Sequence, residues 1–253
     1  MRYAKGSLVL SPGRDVPLLR QVRNSKFVSH VQLFEYMKLG GFDWSRNSFN
    51  WRLKRLVTSG HVSVCSTVVG AGCAVYQITR AGIAVLEHHG EFTTAIHSKT
   101  EHLPHPSQAF HSLELNSVHL SFARRNLLAG WLSEVEVASF NSISGSPYSK
   151  DYDAIVDVWL GPATKRFALE YERTPKNQRD YRMIEDALRA ERQLGCVLYL
   201  APNSEMLIRL MHQLNPASCH LVFADARAFS RDLLDTQVFT AQGQPLPFRT
   251  ALQ

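Results

Sequence analysis

A chain of 253 residues that is 45% hydrophobic and 20% charged has the composition of a globular protein, with room for one large domain or two small ones. No apolar run reaches the roughly 20 residues of a membrane-spanning helix, and the first residues lack the apolar core of a secretory signal. We therefore expect a cytoplasmic protein. The four cysteines form no CxxC pair, which favours reduced side chains over a metal finger.

The net charge of +6 is unevenly distributed along the chain. Residues 1–100 carry 13 Lys and Arg against 5 Asp and Glu, which is +8, and residues 101–253 carry 15 against 17, which is −2. A basic first part favours a polyanion such as nucleic acid as partner. The alternative is a basic but merely solvated surface.

Residues 1–14 show no helical period and are predicted to form an arm ahead of a first domain, residues 15–89. Capping residues and apolar spacing predict three helices in this domain. They are expected to begin at Asp15, after Ser29, and after Ser45, the last running from Arg46 to about Thr58.

A β-hairpin and a further helix are predicted to complete the first domain. Residues 61–65 and 74–78 have strand character and are separated by Gly70–Gly72, a plausible hairpin turn. Thr79 is predicted to cap a last helix over residues 80–89.

This order of elements resembles a winged helix-turn-helix domain, in which the third helix enters the major groove of DNA. The resemblance implies that one face of that helix contacts DNA through Arg46, Asn47, Asn50, Lys54 and Arg55. Arginine can bond to guanine, asparagine to adenine, and lysine to phosphate, so the residue types suit the role. A helix with an ordinary solvated face, or one used for protein contacts, is the alternative.

Residues 90–108 contain glycine and prolines without a clear period and are predicted to be a linker. Five histidines cluster around it: His88, His89, His97, His102 and His105. Their spacing lacks the ligand pattern of a closed metal site, so solvated histidines are the favoured interpretation.

Residues 109–235 are predicted to form a mixed-sheet α/β domain, followed by a tail over residues 236–253 with little pattern. Helices are predicted over 110–132, 177–194 and 204–214. Strands are predicted over 134–140, 153–160, 166–172, 196–200 and 220–223. The expected fold class is therefore α/β in two domains.

Three carboxylates are expected to meet at one edge of this sheet. Asp153 opens one predicted strand, and Glu170 and Glu172 lie on the next. Alternate residues of a strand share a face, so the two glutamates should point into one site, while Asp157 shares the face of Asp153. Carboxylate oxygens suit Mg²⁺, which can polarise a phosphodiester and activate water.

This pattern, with a long helix after it, resembles the PD-(D/E)xK nuclease superfamily. The resemblance implies that Asp153 and Glu170 hold a divalent metal and that Glu172 stands where a lysine is usual. It also implies Glu114 as an additional acid on the preceding helix, and Mg²⁺ as cofactor if the site is catalytic. Tyr152 replaces the usual proline.

A closer resemblance rests on His111-x-Leu113 with Asn116, on Asp153-Ala154 and on the segment Leu169–Thr174. These motifs are similar to the plasmid replication-relaxation family, which joins a winged helix to a nuclease-like domain on plasmids and other mobile elements. That family often has a glycine between the arginine and the threonine of the last motif, which this chain lacks.

The resemblance implies a protein that binds double-stranded DNA, expected as a homodimer. It would act as a transcriptional regulator or replication accessory with an inactive nuclease-like domain. The alternative is an Mg²⁺-dependent DNA endonuclease that uses Asp153, Glu170 and Glu172. A third interpretation, a protein–protein adaptor, requires the carboxylates only to be solvated or paired with arginines: Arg166, Arg173 and Arg179.

Overall fold

The protein is described by a computed structural model over residues 10–65, 72–93, 106–145, 147–214 and 220–253. It is a mixed α/β chain, which confirms the predicted class. The chain divides into two compact units, one made of Met1–Phe92 with Ser98–Asn116 and the other of Thr93–His97 with Ser117–Gln253. The division falls inside a single helix, α5 (Pro106–Arg124).

The first unit combines helices with a three-stranded antiparallel sheet of order β1-β3-β2. Its helices, besides the start of α5, are α1 (Asp15–Ser25), α2 (His30–Leu39), α3 (Arg46–Thr58) and α4 (Arg80–His88). Its strands are β1 (Val28–Ser29), β2 (Val62–Val64) and β3 (Val75–Ile78). These bounds confirm the predicted helices and the two predicted strands, whereas most of the predicted turn lies outside the described residues.

Local capping explains where these helices begin. Ser29 and Gln32 form a capping box at the start of α2, since each side chain accepts a hydrogen bond from the other residue's backbone N–H. The Thr79 hydroxyl accepts from the Gly82 N–H and donates to the Gly60 carbonyl at 2.6 Å. A Cβ at Gly82 would lie 2.3 Å from the His61 carbonyl oxygen, so this close approach requires glycine.

A buried ion-pair network joins α1 to α3 inside the first unit. Asp15 is fully buried, and the Arg52 guanidinium bonds to its Oδ1 at 3.0 Å. The same guanidinium bonds to Asp43 Oδ2 at 3.0 Å, and the Ser48 hydroxyl donates to the other Asp43 oxygen. Burial would lower the pKa of Arg52, but its bonds to the two aspartates raise it. The position of α3 in this unit therefore depends on polar as well as apolar contacts.

The second unit is built on a seven-stranded mixed sheet of order β10-β9-β8-β7-β6-β5-β4. The strands are β4 (Leu128–Ser133), β5 (Ala154–Leu160), β6 (Ala163–Tyr171), β7 (Cys196–Ala201), β8 (His220–Asp225), β9 (Gln237–Thr240) and β10 (Pro245–Pro247). The helices that follow the end of α5 are α6 (Glu134–Ile143), α7 (Gln178–Ala190), α8 (Ser204–Gln213), α9 (Ala226–Asp232) and α10 (Phe248–Ala251).

The centre of this sheet is parallel and its margins are antiparallel. Strands β6, β7 and β8 run parallel, connected through α7 and α8, while β4–β5–β6 and β8–β9–β10 pair antiparallel. The uninterrupted apolar run of β7 is buried throughout, as expected for a central parallel strand. The hairpin β5–β6 thus places Asp153 and Glu170 at the same end of neighbouring strands.

Two predicted elements at the start of the second unit are wrong. The helix predicted over 110–132 ends at Arg124, because Asn126 adopts φ 54° and the chain then enters β4. The strand predicted over 134–140 is instead α6. A capping box explains this, since the Glu136 carboxylate accepts from the Ser133 backbone N–H at 2.8 Å.

The expectation of a patternless tail is also wrong. Residues 237–251 contribute β9, β10 and α10, and both strands belong to the sheet. Phe248 is fully buried, with ring centroids 5.0 Å from Phe167 and 5.3 Å from Phe229. The segment completes the core on one side of the sheet.

Candidate nucleic-acid interface and carboxylate cluster

Helix α3 presents one exposed polar face. Its apolar stripe, Phe49, Leu53 and Leu56, is buried in the first unit. The exposed positions include four of the predicted DNA-facing residues: Arg46, Asn47, Asn50 and Lys54. Because Asn47, Asn50 and Lys54 are spaced three and four residues apart, they lie along one side of the helix.

Two exposed tryptophans accompany this face. The side chain of Trp44 is 74% exposed just before α3, and Trp51, one residue after Asn50, is 62% exposed. Tryptophan is highly buried on average and is enriched at interfaces together with arginine. The combination of aromatic, amide and cationic groups is that of a contact surface.

Neighbouring side chains restrain the polar groups of this face. The Arg46 guanidinium carbon lies 5.3 Å from the centre of the Phe34 ring. The Asn50 Oδ1 lies 3.0 Å from His30 Nε2. Such contacts reduce the side-chain freedom that binding would otherwise remove.

Arg55 occupies a different environment from the other four predicted DNA-facing residues. Its guanidinium bonds to the buried Asp15 at 2.5 Å and lies 4.9 Å from the Trp51 ring centre. It therefore helps to hold α3 on α1 and to orient Trp51.

In the second unit, strands β5 and β6 bring two of the predicted carboxylates, Asp153 and Glu170, together. Asp153 immediately precedes β5, Glu170 is on β6, and Glu172 follows the end of β6, with its N–H donating to the Leu200 carbonyl. The Asp153 N–H donates to Glu170 Oε1 at 3.3 Å, and the Tyr171 N–H donates to Asp153 Oδ2 at 2.7 Å. Asp153 and Glu170 are therefore direct neighbours.

Two lysines complete this group, which we call the carboxylate cluster: Asp153, Glu170, Glu172, Lys150 and Lys176. The Lys150 ammonium bonds to Glu170 Oε2 at 2.6 Å. The Lys176 ammonium pairs with Glu172. Both glutamates are buried, with 8% and 6% of their surface exposed, whereas the side chains of Lys150 and Lys176 are 20% and 38% exposed, so each ion pair joins a buried carboxylate to a more exposed ammonium.

The protonation of the cluster is perturbed by its burial. Burial raises the pKa of Glu170; Lys150 opposes that rise and Asp153 adds to it, so the net pKa is raised. Burial likewise lowers the pKa of Lys176, against the opposite influence of Glu170 and Asp153. A set of coupled, perturbed acids and bases is typical of a functional site, although structural ion pairs produce it as well.

A second set of hydrogen bonds fixes the loop that carries Lys150. The Glu191 carboxylate, at the end of α7, accepts from the Ser149 N–H and hydroxyl at 3.1 and 2.9 Å and from the Tyr152 hydroxyl at 3.1 Å. Its other oxygen accepts from the N–H groups of Arg192 and Gln193. These bonds outweigh the effect of burial, which alone would raise the pKa of Glu191, so its net pKa is lowered.

The donors of the cluster fit Mg²⁺ in kind, since the metal prefers carboxylate oxygens. Their arrangement does not fit it, because Glu170 and Glu172 are each engaged by a lysine ammonium and Asp153 by a backbone N–H. Within the described ranges, no group of three or more His, Cys, Asp or Glu side chains is placed to hold a metal ion.

Glu114 and Asp157 are the remaining predicted acids. Glu114 is on the part of α5 that belongs to the first unit, whereas the carboxylate cluster belongs to the second. Asp157 makes a two-pronged ion pair with Arg166, both contacts at 2.8 Å. Arg166, one of the arginines predicted as partners of the carboxylates, therefore pairs with Asp157.

Sequence reasoning missed Lys150, Lys176 and Glu191. Lys176 follows Glu172 by four residues and Lys150 precedes Asp153 by three, so proximity in sequence was an available signal. No comparable signal marks Glu191, whose contact with Ser149 and Tyr152 joins residues about forty positions apart.

The chain was compared with protein families, curated proteins and solved structures. No protein-family model matches the chain, and no curated protein or solved structure matches it. Among the described helices, none is both long enough and apolar enough to cross a bilayer.

Proposed function

We propose that the protein binds double-stranded DNA through the exposed face of α3, with the first unit acting as a winged helix-turn-helix domain. The observation that carries this proposal is the alignment of Asn47, Asn50 and Lys54 with Arg46 on an exposed helix face. The surplus of basic residues over positions 1–100 supplies the attraction to phosphates.

The order of elements supports the same assignment. Helix α3 follows α2 and precedes the antiparallel strands β2 and β3, as a recognition helix precedes the wing. Its carboxyl-terminal half is held by the buried Asp15–Arg52 pair, so the exposed face is presented by a fixed helix.

We further propose that the protein acts as a homodimeric regulator or replication accessory of a plasmid or other mobile element. In this proposal the second unit is a nuclease-like domain without activity. The ion pairs of Glu170 and Glu172 with lysines support an inactive domain, because each ammonium is bound to a carboxylate that a metal-dependent site would need.

Replacing Arg46 and Lys54 together by alanine tests the DNA-binding proposal. Loss of two contacts should weaken binding to a duplex by about tenfold or more and make the dependence of log Kd on log salt shallower by about one. Gel-shift or fluorescence-anisotropy titration of the target duplex at several salt concentrations measures both effects.

The matched control removes two positive charges from elsewhere on the same unit. Lys38 is in the last turn of α2 and Arg80 begins α4, and both are exposed. Lys38→Ala with Arg80→Ala should leave most of the affinity intact. Equal losses in the two double variants would mean that charge alone, and not the face of α3, governs binding.

An Mg²⁺-dependent endonuclease is the second candidate, favoured by the proximity of Asp153 and Glu170, since the Asp153 backbone N–H donates to the Glu170 carboxylate. We rank it second because lysines engage the neighbouring oxygens.

Incubation of supercoiled plasmid with Mg²⁺ or Mn²⁺ separates the two candidates. We expect neither the wild type nor Asp153→Ala to convert the plasmid to nicked or linear forms, while the wild type still binds it. Nicking by the wild type that disappears in Asp153→Ala would establish the endonuclease instead. Agarose electrophoresis of matched preparations provides the measurement.

A further inference from the structure

A cavity in the second unit lies between the start of α7 and the end of α8. Its volume is about 360 Å³, and the described residues that line it are Lys176, Gln178, Tyr181, Arg209, His212 and Gln213. This volume is at the lower end of the range of small-ligand sites and exceeds the space needed for one phosphate group.

The lining residues form a surface of nitrogen donors. Lys176 and Arg209 are cationic, and Gln178, His212 and Gln213 can each donate an N–H. None of the described lining residues carries a carboxylate. The chemistry therefore favours an anion with several acceptor oxygens, and a guanidinium matches a phosphate in two-pronged geometry.

The two cations are not neutralised equally. Arg209 lies 3.8 Å from Glu205, and both side chains are well exposed, so this pair contributes little and leaves the guanidinium able to reorient. Lys176 pairs with Glu172 in the carboxylate cluster and also lines the cavity. One lysine thus connects the cavity to the predicted site.

Tyr181 forms the rigid wall of the cavity. It is buried, and its hydroxyl accepts the Lys176 backbone N–H at 3.2 Å. This bond fixes the chain segment that places the Lys176 side chain between cavity and cluster. The donors are therefore presented by ordered backbone and not by a freely moving loop end.

We propose that this cavity binds a phosphate group of a nucleic-acid strand, as a second contact separate from the face of α3. Arg209 supplies the main charge, and Lys176 together with the glutamine side chains supplies hydrogen bonds. The proposal goes beyond the recognition of duplex DNA by the first unit and gives the second unit a binding role that does not require cleavage.

The test uses the full chain with Arg46→Ala and Lys54→Ala, so that the two cations are removed from the α3 face. The probe is a short fluorescein-labelled oligothymidylate, titrated by anisotropy between about 50 and about 200 mM KCl. Adding Arg209→Gln should weaken binding severalfold and reduce the salt slope by about 0.7, the value expected for one phosphate contact on a single strand.

Arg182→Gln is the matched control, because Arg182 is exposed on α7 but does not line the cavity. Equal effects of Arg209→Gln and Arg182→Gln would overturn the proposal, as would no oligothymidylate binding in the α3-neutralised background. Displacement of the probe by a polyglutamate peptide as readily as by unlabelled oligonucleotide would also overturn it.

Unlabelled thymidine triphosphate and inorganic phosphate, added as competitors, identify the source of the phosphate group. Weak competition by both, with strong competition by the oligonucleotide, supports a strand as the natural ligand. If only the triphosphate competes, the proposal that the ligand is a nucleic-acid strand is overturned, and a free nucleotide is the ligand instead. Because the α3 face is neutralised throughout, this result is independent of whether the first unit binds DNA.

Discussion

Replacing Arg52 by methionine should lower the free energy of unfolding of the first unit by about 3–5 kcal/mol, the usual cost of removing one partner from a buried ion pair. Arg52 bonds to both Asp15 and Asp43, so the substitution leaves two buried carboxylates without their shared partner. Asp15 retains a contact with Arg55, which is why we do not expect complete unfolding.

Lys54→Met is the control for this effect. Lys54 lies two residues away on the same helix and is exposed, so its replacement should change stability by less than about 0.5 kcal/mol. Urea titration followed by circular dichroism gives the difference, and hydrogen exchange should locate the lost protection in α1 and α3. Comparable stability in the two variants would show that the Asp15–Arg52–Asp43 contacts do not hold α3.

Replacing Glu191 by glutamine should destabilise the second unit by about 1–3 kcal/mol at neutral pH, the usual cost of leaving one buried donor unsatisfied. The carboxylate accepts five hydrogen bonds, three of them from Ser149 and Tyr152. If the NH₂ group of the glutamine faces Ser149 and Tyr152, their hydroxyls can turn to accept from it, but the Ser149 backbone N–H loses its acceptor. If it faces the other side, the N–H groups of Arg192 and Gln193 lose theirs.

The difference between wild type and Glu191→Gln should depend on pH. The pKa of Glu191 is lowered in the folded chain, so its contribution is fully present above the unfolded value of about 4.3 and is lost as pH falls through the folded pKa. We therefore expect the two unfolding free energies to converge in the acid range.

Denaturant titrations at several pH values measure this convergence, with Glu205→Gln as control. Glu205 is well exposed on α8 and should behave like the wild type at every pH. A constant gap between wild type and Glu191→Gln down to acid pH would contradict the assigned role. The loop that carries Lys150 should lose hydrogen-exchange protection in the same variant.

Local signals were sufficient for much of this fold. Capping residues located α2 and α4, and apolar runs located β5 and β7, because each of those signals acts within a few residues. The predicted pair of neighbouring strands also placed Asp153 and Glu170 at one edge of the sheet, where the structure has them. These features depend on short-range geometry that a sequence displays directly.

Other features depend on contacts distant in sequence. Polar and apolar residues alternate over residues 134–140, which is the pattern of a strand. The segment is a helix because the Ser133–Glu136 capping box stabilises a helix start there. Residues of the predicted tail belong to the sheet because β9 pairs with β8 and the Phe248 ring packs on Phe167. No pattern within the tail indicates either of these long-range contacts. The lysines that pair with Glu170 and Glu172 likewise come from two separate segments of the chain.

Those lysines alter the electric field that the carboxylate cluster presents to an approaching strand. Three ionised carboxylates alone would carry −3, but with the ammonium groups of Lys150 and Lys176 the cluster carries −1. A phosphate diester therefore meets about one repelling charge at this edge of the sheet, and the interaction at close range falls in proportion. Under the proposal that the second unit contacts a nucleic-acid strand, the two lysines take the place of a metal ion in offsetting the acids at this sheet edge.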